Sequence, residues 1–415
     1  MARAGGMLNK AGFYLVQSRE QKLRLGMLED PIINVVDEIL FQAIVARASD
    51  IHVHLQQEAL IIRLRIDGVL QLFQEITSEQ ALQVLARFKI LANLDVSDAR
   101  LPQDGKCAVL ILLNGAEKIV DLRFATMPSV NGEKLLIRIL DTAQHFLSLD
   151  TLGLSSVQEA ILLRLMQMPY GLILTTGPTG AGKTTTLYAL LATINAYERQ
   201  VVTLEDPVEY TIPGIVQSQV NPKIGFSFEQ GLRAMLRQDP DVMMIGEIRD
   251  RISAQIAMEA SLTGHLVLST LHTKDAIGSI IRLREMGIDA YLLTAALTAI
   301  LGQRIVRRLC AHCKVADLPT EQEAMLFEQI GRNVVKLWRP HGCALCFNTG
   351  YYGRVGIYEL CLISDSLRDG ILKHYSLTEL LNIAKQQGFV SFLVDGFEKV
   401  VAGVVSFDEL MRIID

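Results

Sequence analysis

The run Gly177-Pro178-Thr179-Gly180-Ala181-Gly182-Lys183-Thr184 fits the pattern G-x-x-x-x-G-K-[ST]. The apolar stretch Leu172 to Thr175 precedes it, and Leu187, Leu190, Leu191 and Ile194 follow at helical spacing. A match between a strand and a helix is the context in which this pattern becomes a phosphate-binding loop. Glycines let backbone N–H groups turn inward around phosphate oxygens, and the N-terminus of the following helix adds positive potential. Gly177, Pro178, Thr179, Gly180, Ala181, Gly182, Lys183, Thr184 and Thr185 are therefore the candidate nucleotide-binding residues. Lys183 is expected to reach the transferred phosphoryl group and the Thr184 hydroxyl to ligate Mg²⁺.

Hydrolysis also needs carboxylates that hold Mg²⁺ and orient water, and two strand ends supply them. Asp241-Val242-Met243-Met244-Ile245-Gly246-Glu247 is an apolar strand ending in an acid, and Val201 to Leu204 leads into Glu205 and Asp206. In a parallel sheet the carboxyl ends of neighbouring strands converge on one crevice, which makes Glu247 and Glu205 catalytic candidates and Glu247 a magnesium candidate. Asp206 reads equally well as a solvated or capping acid. A third apolar strand, Leu266 to Leu268, is bracketed by His265 and His272. His272, at its carboxyl end, is placed to reach a γ-phosphate and report its presence, whereas a structural role stays open for both histidines.

Four of the six cysteines form two Cys-x-x-Cys pairs, Cys310/Cys313 and Cys343/Cys346, separated by 29 residues. Paired knuckles of this kind point to a tetrahedral four-thiolate zinc site with no position left for water, hence a structural metal. His312 or His341 in place of one thiolate is an open alternative. Cys107 and Cys361 sit among apolar residues and read as small hydrophobes.

These groups must be positioned by a chain of 415 residues, 50% hydrophobic and 20% charged, with a net charge of -5. That balance is globular and suggests two or three domains. It lacks the basic excess of a nucleic-acid binder, so no nucleic-acid partner is expected. No apolar run approaches the length of a membrane span or a signal-peptide core, and a cytoplasmic protein is expected. Residues 1–30 read as an N-terminal extension. From 31 to 142, helical spacing at Ile33, Val36, Leu40 and Ile44, strands at 51–55 and 60–66, a helix at 81–94 and a hairpin across Asn114-Gly115 predict an α+β domain. Strands alternating with helices over 143–305 predict an α/β domain on a parallel sheet. Residues 306–358 carry the cysteines, and 359–415 read as a helical tail with capping boxes Ser376/Glu379 and Ser406/Glu409.

Beyond these readings, residues 31 to 415 resemble the secretion ATPase superfamily, the motors of type II secretion and type IV pilus assembly. Besides the phosphate loop, Thr-Leu-Glu-Asp-Pro-Val-Glu-Tyr at 203–210 resembles that family's aspartate box. Leu-Arg-Gln-Asp-Pro-Asp-Val-Met-Met-Ile-Gly-Glu-Ile-Arg-Asp at 236–250 resembles its Walker B segment, and Thr-Gly-His-Leu-Val-Leu-Ser-Thr-Leu-His-Thr at 263–273 its histidine box. The resemblance implies a RecA-like P-loop ATPase domain, a smaller PAS-like α+β domain before it, a tetracysteine zinc subdomain and a helical tail. It implies ATP, Mg²⁺ and Zn²⁺ as cofactors and a homo-oligomeric ring in the family's usual hexameric form. It assigns phosphate and metal to Lys183 and Thr184, water and metal to Glu205 and Glu247, and the γ-phosphate to His272. Arginines of the smaller domain are implied to reach the phosphates, and the matching residues are Arg123 and Arg138.

The tetracysteine followed by Thr349-Gly350-Tyr351-Tyr352-Gly353-Arg354 resembles secretion and pilus-extension members rather than retraction members. The expected function is a cytoplasmic motor, peripheral to the inner membrane, that hydrolyses ATP to drive pseudopilus assembly for type II secretion. Inner-membrane platform proteins are the expected partners. A type IV pilus-extension ATPase is the nearest alternative; a nucleic-acid-translocating motor or a nucleotide-gated scaffold is the alternative of another class. Members usually carry a further N-terminal docking domain, where here about 30 residues precede the α+β unit. Lys106 and Lys274 stand where Arg and Asn are common.

Overall fold

Period-two alternation in residues 48–66 puts Ile51, Val53, Leu60, Ile62 and Leu64 on one face and Arg63 and Arg65 on the other, which is what a half-buried strand pair requires. A computed structural model of the chain describes residues 13–18, 21–25, 31–56, 59–113, 116–140, 148–329 and 331–414. The chain divides into two units, Met1–His145 and Phe146–Asp415.

The first unit is one eight-stranded antiparallel sheet. Its strands are β1 (Phe13–Ser18), β2 (Gln21–Leu25), β3 (Ala48–Leu55), β4 (Ala59–Ile66), β5 (Val69–Thr77), β6 (Asp104–Leu113), β7 (Ala116–Ser129) and β8 (Gly132–Leu140), in the order β2-β1-β6-β7-β8-β3-β4-β5. Helices Pro31–Val45 and Ser78–Leu91 cover one face and bury Val36, Ile39, Leu40, Val84 and Phe88 against Val109, Leu122 and Ile137. Each such side chain contributes about 1.5–3 kcal/mol on burial. Of the segment read from sequence as an N-terminal extension, the described strand β1 pairs with the edge of β6, Phe13 opposite Ile111, and satisfies backbone groups that an open edge would leave bare. The hairpin β6–β7 is present, with Lys106 opposite Arg123; its turn residues Asn114 and Gly115 lie outside the described residues.

Asp37 is buried between the two helices and both of its carboxylate oxygens lack a hydrogen-bond partner. Burial pushes its carboxyl up to about 6, against the opposing pull of the Arg87 guanidinium. A folded-state acid weaker than its unfolded counterpart stabilises the fold most at low pH, and that stability is lost as pH rises through the folded value. Between pH 4.5 and 7.5 the wild type is expected to lose about 2 kcal/mol that Asp37→Asn does not lose. Urea denaturation of both chains at the two pH values checks this, and equal pH dependence would contradict it.

The second unit is built on a seven-stranded sheet of β9 (Gly171–Thr176), β10 (Val201–Glu205), β11 (Val216–Gln219), β12 (Val242–Ile245), β13 (Leu266–Leu271), β14 (Leu297–Leu309) and β17 (Tyr351–Leu362), in the order β11-β10-β12-β13-β9-β14-β17. All pairs are parallel except β14 with β17. Neighbouring residues enter opposite cores: Leu172, Leu174, Met243 and Val267 pack on one face, and Ile173, Val242, Met244 and Leu266 on the other. Burial on both faces explains why these strands read as continuous apolar runs.

The cysteine segment is not cut off at 306 and 358, because β14 and β17 run out of the main sheet as one antiparallel ribbon that delivers Cys310. A two-stranded sheet, β15 (Val315–Asp317) with β16 (Leu337–Arg339), and the helix Glu321–Gln329 complete that region. The Ser376/Glu379 capping box forms as expected. Ser406 also caps its helix, accepting from Glu409 N at 3.2 Å, but the Glu409 carboxylate does not return to it. That carboxylate, fully buried, takes Arg307 through Nε at 3.0 Å and Nη2 at 2.7 Å, and Arg412 through Nε at 2.8 Å, so it anchors the tail to β14 instead. Among the described residues no helix is long and apolar enough to cross a membrane.

Candidate active site

β9 ends at Thr176 and the helix Lys183–Leu191 begins six residues after Gly177, so the loop between them must reverse direction in little space. Gly180 and Gly182 have φ of 79° and 78°, the left-handed region that favours glycine. A Cβ on Gly177 would lie 2.3 Å from the Gln303 carbonyl oxygen, so β14 passes directly beneath the loop. Lys183 donates to the carbonyls of Gly177 at 2.8 Å and Pro178 at 2.9 Å. Burial lowers its pKa, opposed by the nearby negative charge of Glu247. Thr184 is exposed at the start of the helix.

The carboxyl ends of β9, β10, β12 and β13 lie side by side, with Leu204 opposite Ile245, Ile245 opposite Ser269, and Leu271 opposite Thr176. That edge brings Glu247 and His272 together: His272 Nε2 lies 3.2 Å from Glu247 Oε2. The other carboxylate oxygen of Glu247 accepts from Arg249, whose guanidinium also reaches Asp206 Oδ2 at 3.5 Å. His265 sits at the opposite end of β13, its Nδ1 2.8 Å from Ala260 O and 3.1 Å from the Thr263 hydroxyl, where it closes the end of the helix Arg251–Leu262. His272 thus stands at the sheet edge that carries the phosphate loop, and His265 has the structural role left open for it.

Glu205 is placed differently from the water-facing carboxylate that its position suggests. It is only 2% exposed, and Tyr188, Thr203 and Gln217 all donate to it, the last two at 2.5 and 3.1 Å. Gln217 also donates to Tyr210 O at 3.1 Å and accepts from Ile212 N at 2.6 Å, and the Tyr210 ring packs edge-on against Tyr188 at 4.6 Å. Three neutral donors satisfy this buried carboxyl group, and burial together with Glu205 raises the Tyr188 phenol well above its usual range. Glu205 therefore ties the phosphate-loop helix to the 206–212 turn. Tyr188, Gln217 and Arg249 were not singled out in the sequence. Only Arg249, two residues after Glu247, carries a local signal.

Arg123 and Arg138 lie opposite each other on β7 and β8 of the first unit. Both are exposed, and Arg138 Nε donates to Asp50 Oδ1 at 3.2 Å. Lys106 opposite Arg123, and Arg65 3.7 Å from Asp50, extend the row across five strands.

The four cysteines of the two pairs form one cluster, their sulfurs all within 4.8 Å of one another. Cys310 and Cys343 are 3.9 Å apart, Cys313 and Cys346 3.8 Å, and Cys343 and Cys346 3.7 Å. A tetrahedral zinc with sulfur at about 2.3 Å sets its sulfurs about 3.8 Å apart, so the donor set fits that ion. Backbone N–H groups of Gly342, Cys343 and Gly350 point at the sulfurs at 3.2–3.3 Å, as thiolates require. His312 and His341 take no part in the cluster.

A phosphate loop feeding a helix at the carboxyl edge of a parallel sheet, with an acid and a histidine from the next strands, defines a RecA-like P-loop ATPase. The family model described as Type II/IV secretion system protein matches residues 27–412, and the chain belongs to that family. It is 43% identical over 383 residues to the putative type II secretion system protein E of Escherichia coli, covering 92% of this chain and 77% of that protein. With the type II secretion system ATPase E of Vibrio cholerae it shares 42% identity over 403 residues, 97% of this chain and 79% of that one. Among solved structures, the ATPase DotB of Legionella pneumophila is similar in fold, with a TM-score of 0.65 and 20% identity over 92% of this chain and 95% of that one.

Proposed function

We propose that the chain is the ATP-hydrolysing motor of a type II secretion system, driving pseudopilus assembly. The observation that carries this reading is the Glu247–His272 pair at the same sheet edge as the phosphate loop, in a chain whose relatives of 42–43% identity include a type II secretion system ATPase E. Lys183 leaves its loop carbonyls to neutralise charge on the transferred phosphoryl group, and the loop N–H groups hold the phosphates. Thr184, with Glu247 nearby, would hold Mg²⁺, which would supply charge neutralisation for phosphoryl transfer. Glu247 orients the attacking water and takes its proton, while His272 reads the γ-phosphate. Glu205 acts at one remove, by fixing the turn that carries Asp206. Arg123 and Arg138 are assigned to phosphate charge. The four thiolates of the cysteine cluster would hold a structural zinc.

The working form is a homo-oligomer, hexameric by family pattern, in the cytoplasm at the inner membrane, held there by platform proteins. ATP turnover measured with vesicles containing anionic phospholipid and, separately, with duplex DNA tests the setting. Stimulation by the vesicles and indifference to DNA is the expected result; stimulation by DNA alone would replace secretion by nucleic-acid translocation.

A further inference from the structure

His272 is exposed on a short connection between β13 and the helix Ala276–Glu285, yet a γ-phosphate reader has to stand at a fixed distance from the loop that holds the phosphate. Three hydroxyls supply that constraint. Thr176, fully buried, is the last residue before the phosphate loop and lies opposite Leu271 in the sheet. Its hydroxyl donates to Leu271 O at 3.1 Å, and Gly177 N approaches the same oxygen at 3.4 Å. One residue past His272 the chain turns back, and the Thr273 hydroxyl meets the Thr176 hydroxyl. The Thr273 hydroxyl also contacts the buried Ser279 hydroxyl at 2.7 Å and lies 3.0 Å from Asp275 O. Asp275 in turn caps the helix, accepting from Gly278 N at 2.6 Å.

The protons can be placed consistently along this chain. Ser279 donates to Thr273, Thr273 to Thr176, and Thr176 to Leu271 O, so every hydroxyl but the first both donates and accepts. The backbone on each side of His272 is thereby tied to the residue that opens the phosphate loop, through Leu271 O before the ring and Thr273 Oγ1 after it. We propose that Thr273 is a positioning residue for ATP hydrolysis, its hydroxyl fixing His272, and with it Glu247, against the phosphate loop. This rests on the hydrolysis reading above. A hydroxyl is required here, since the methyl group of Thr273 makes none of these bonds.

The test compares full-length wild type, Thr273→Val, Thr273→Ser and Ser279→Ala for kcat and KM with Mg-ATP, and for calorimetric affinity towards ADP and a non-hydrolysable ATP analogue. Valine keeps the volume and removes the hydroxyl. It is expected to lower kcat on the order of tenfold or more with KM little changed, since small misplacements at a reacting centre act on turnover. Its preference for the ATP analogue over ADP should fall as well, with ADP affinity kept. Serine should restore both to near the wild-type values. Ser279→Ala, which removes only the first donor, should show a smaller loss of kcat and keeps the test valid if the valine chain folds poorly. Wild-type kcat and analogue preference in Thr273→Val would overturn the proposal, as would a serine chain as impaired as valine, which would assign the effect to packing. Active wild type in the same series makes such a failure one of this inference alone; inactive wild type would overturn the hydrolysis reading with it.

Discussion

Glu247→Gln is expected to bind Mg-ATP about as tightly as wild type and to turn it over about 10²–10³-fold more slowly, the usual cost of removing a positioned general base. The substitution keeps size and hydrogen-bonding reach while removing the charge that accepts the proton of water. The partners of Glu247 argue for this separation of binding from chemistry. Its carboxylate lies between His272 at 3.2 Å and Arg249, whereas Lys183 opens the helix after β9 and the loop N–H groups precede it, so the proposed phosphate contacts do not run through Glu247. Arg249 is 60% exposed at its side chain, so loss of the charged partner leaves no buried cation and the melting temperature should hardly move. Equilibrium binding and steady-state turnover on the same preparation check both halves. Retained turnover would remove Glu247 from the chemistry and would reopen the carboxylates of the 205–206 turn.

The second large effect is structural. Cys343→Ser is expected to release the metal and to lower stability by several kcal/mol, because structural zinc contributes about 10–16 kcal/mol in small zinc-finger peptides and part of that here is replaced by the surrounding core. Cys346 and Cys310 are buried, and the cluster sits at the end of the β14–β17 ribbon, where Leu337, Phe327 and Val306 pack together. Without metal, four thiols close together offer one another only weak hydrogen bonds. Zinc content per chain and the thermal midpoint, before and after the substitution, measure this. One zinc per chain with an unchanged midpoint would contradict it.

The features legible in the sequence are those whose physics is local. A loop of glycines between a strand and a helix, two Cys-x-x-Cys pairs and runs of buried strand residues each declare themselves within about twenty residues. The contacts that were not legible join distant positions. Glu205 takes its donors from Tyr188 and Gln217, on either side of it in the chain, and nothing in Leu-Glu-Asp-Pro announces that its carboxylate turns inward. Ser406 and Glu409 have capping-box spacing, but Arg307, about a hundred residues earlier, supplies a charge-assisted pair that outcompetes the return bond to Ser406. That His265 closes the helix Arg251–Leu262 through Ala260 O was not legible, because it depends on how that helix runs into β13. The pairing of β1 with β6 joins positions about a hundred residues apart and has no counterpart in local pattern. The segments that resemble the secretion ATPase motifs lie at the ends of β9, β10, β12 and β13, which are neighbours in one sheet, and Arg123 and Arg138 lie opposite each other in the first unit.

The most direct measurement is the ATP hydrolysis rate per chain of the purified protein as its concentration is raised, with and without Mg²⁺. A rate that depends on Mg²⁺, climbs as chains assemble and then levels off is the predicted result. No turnover at any concentration, in the presence of Mg²⁺, would contradict the account.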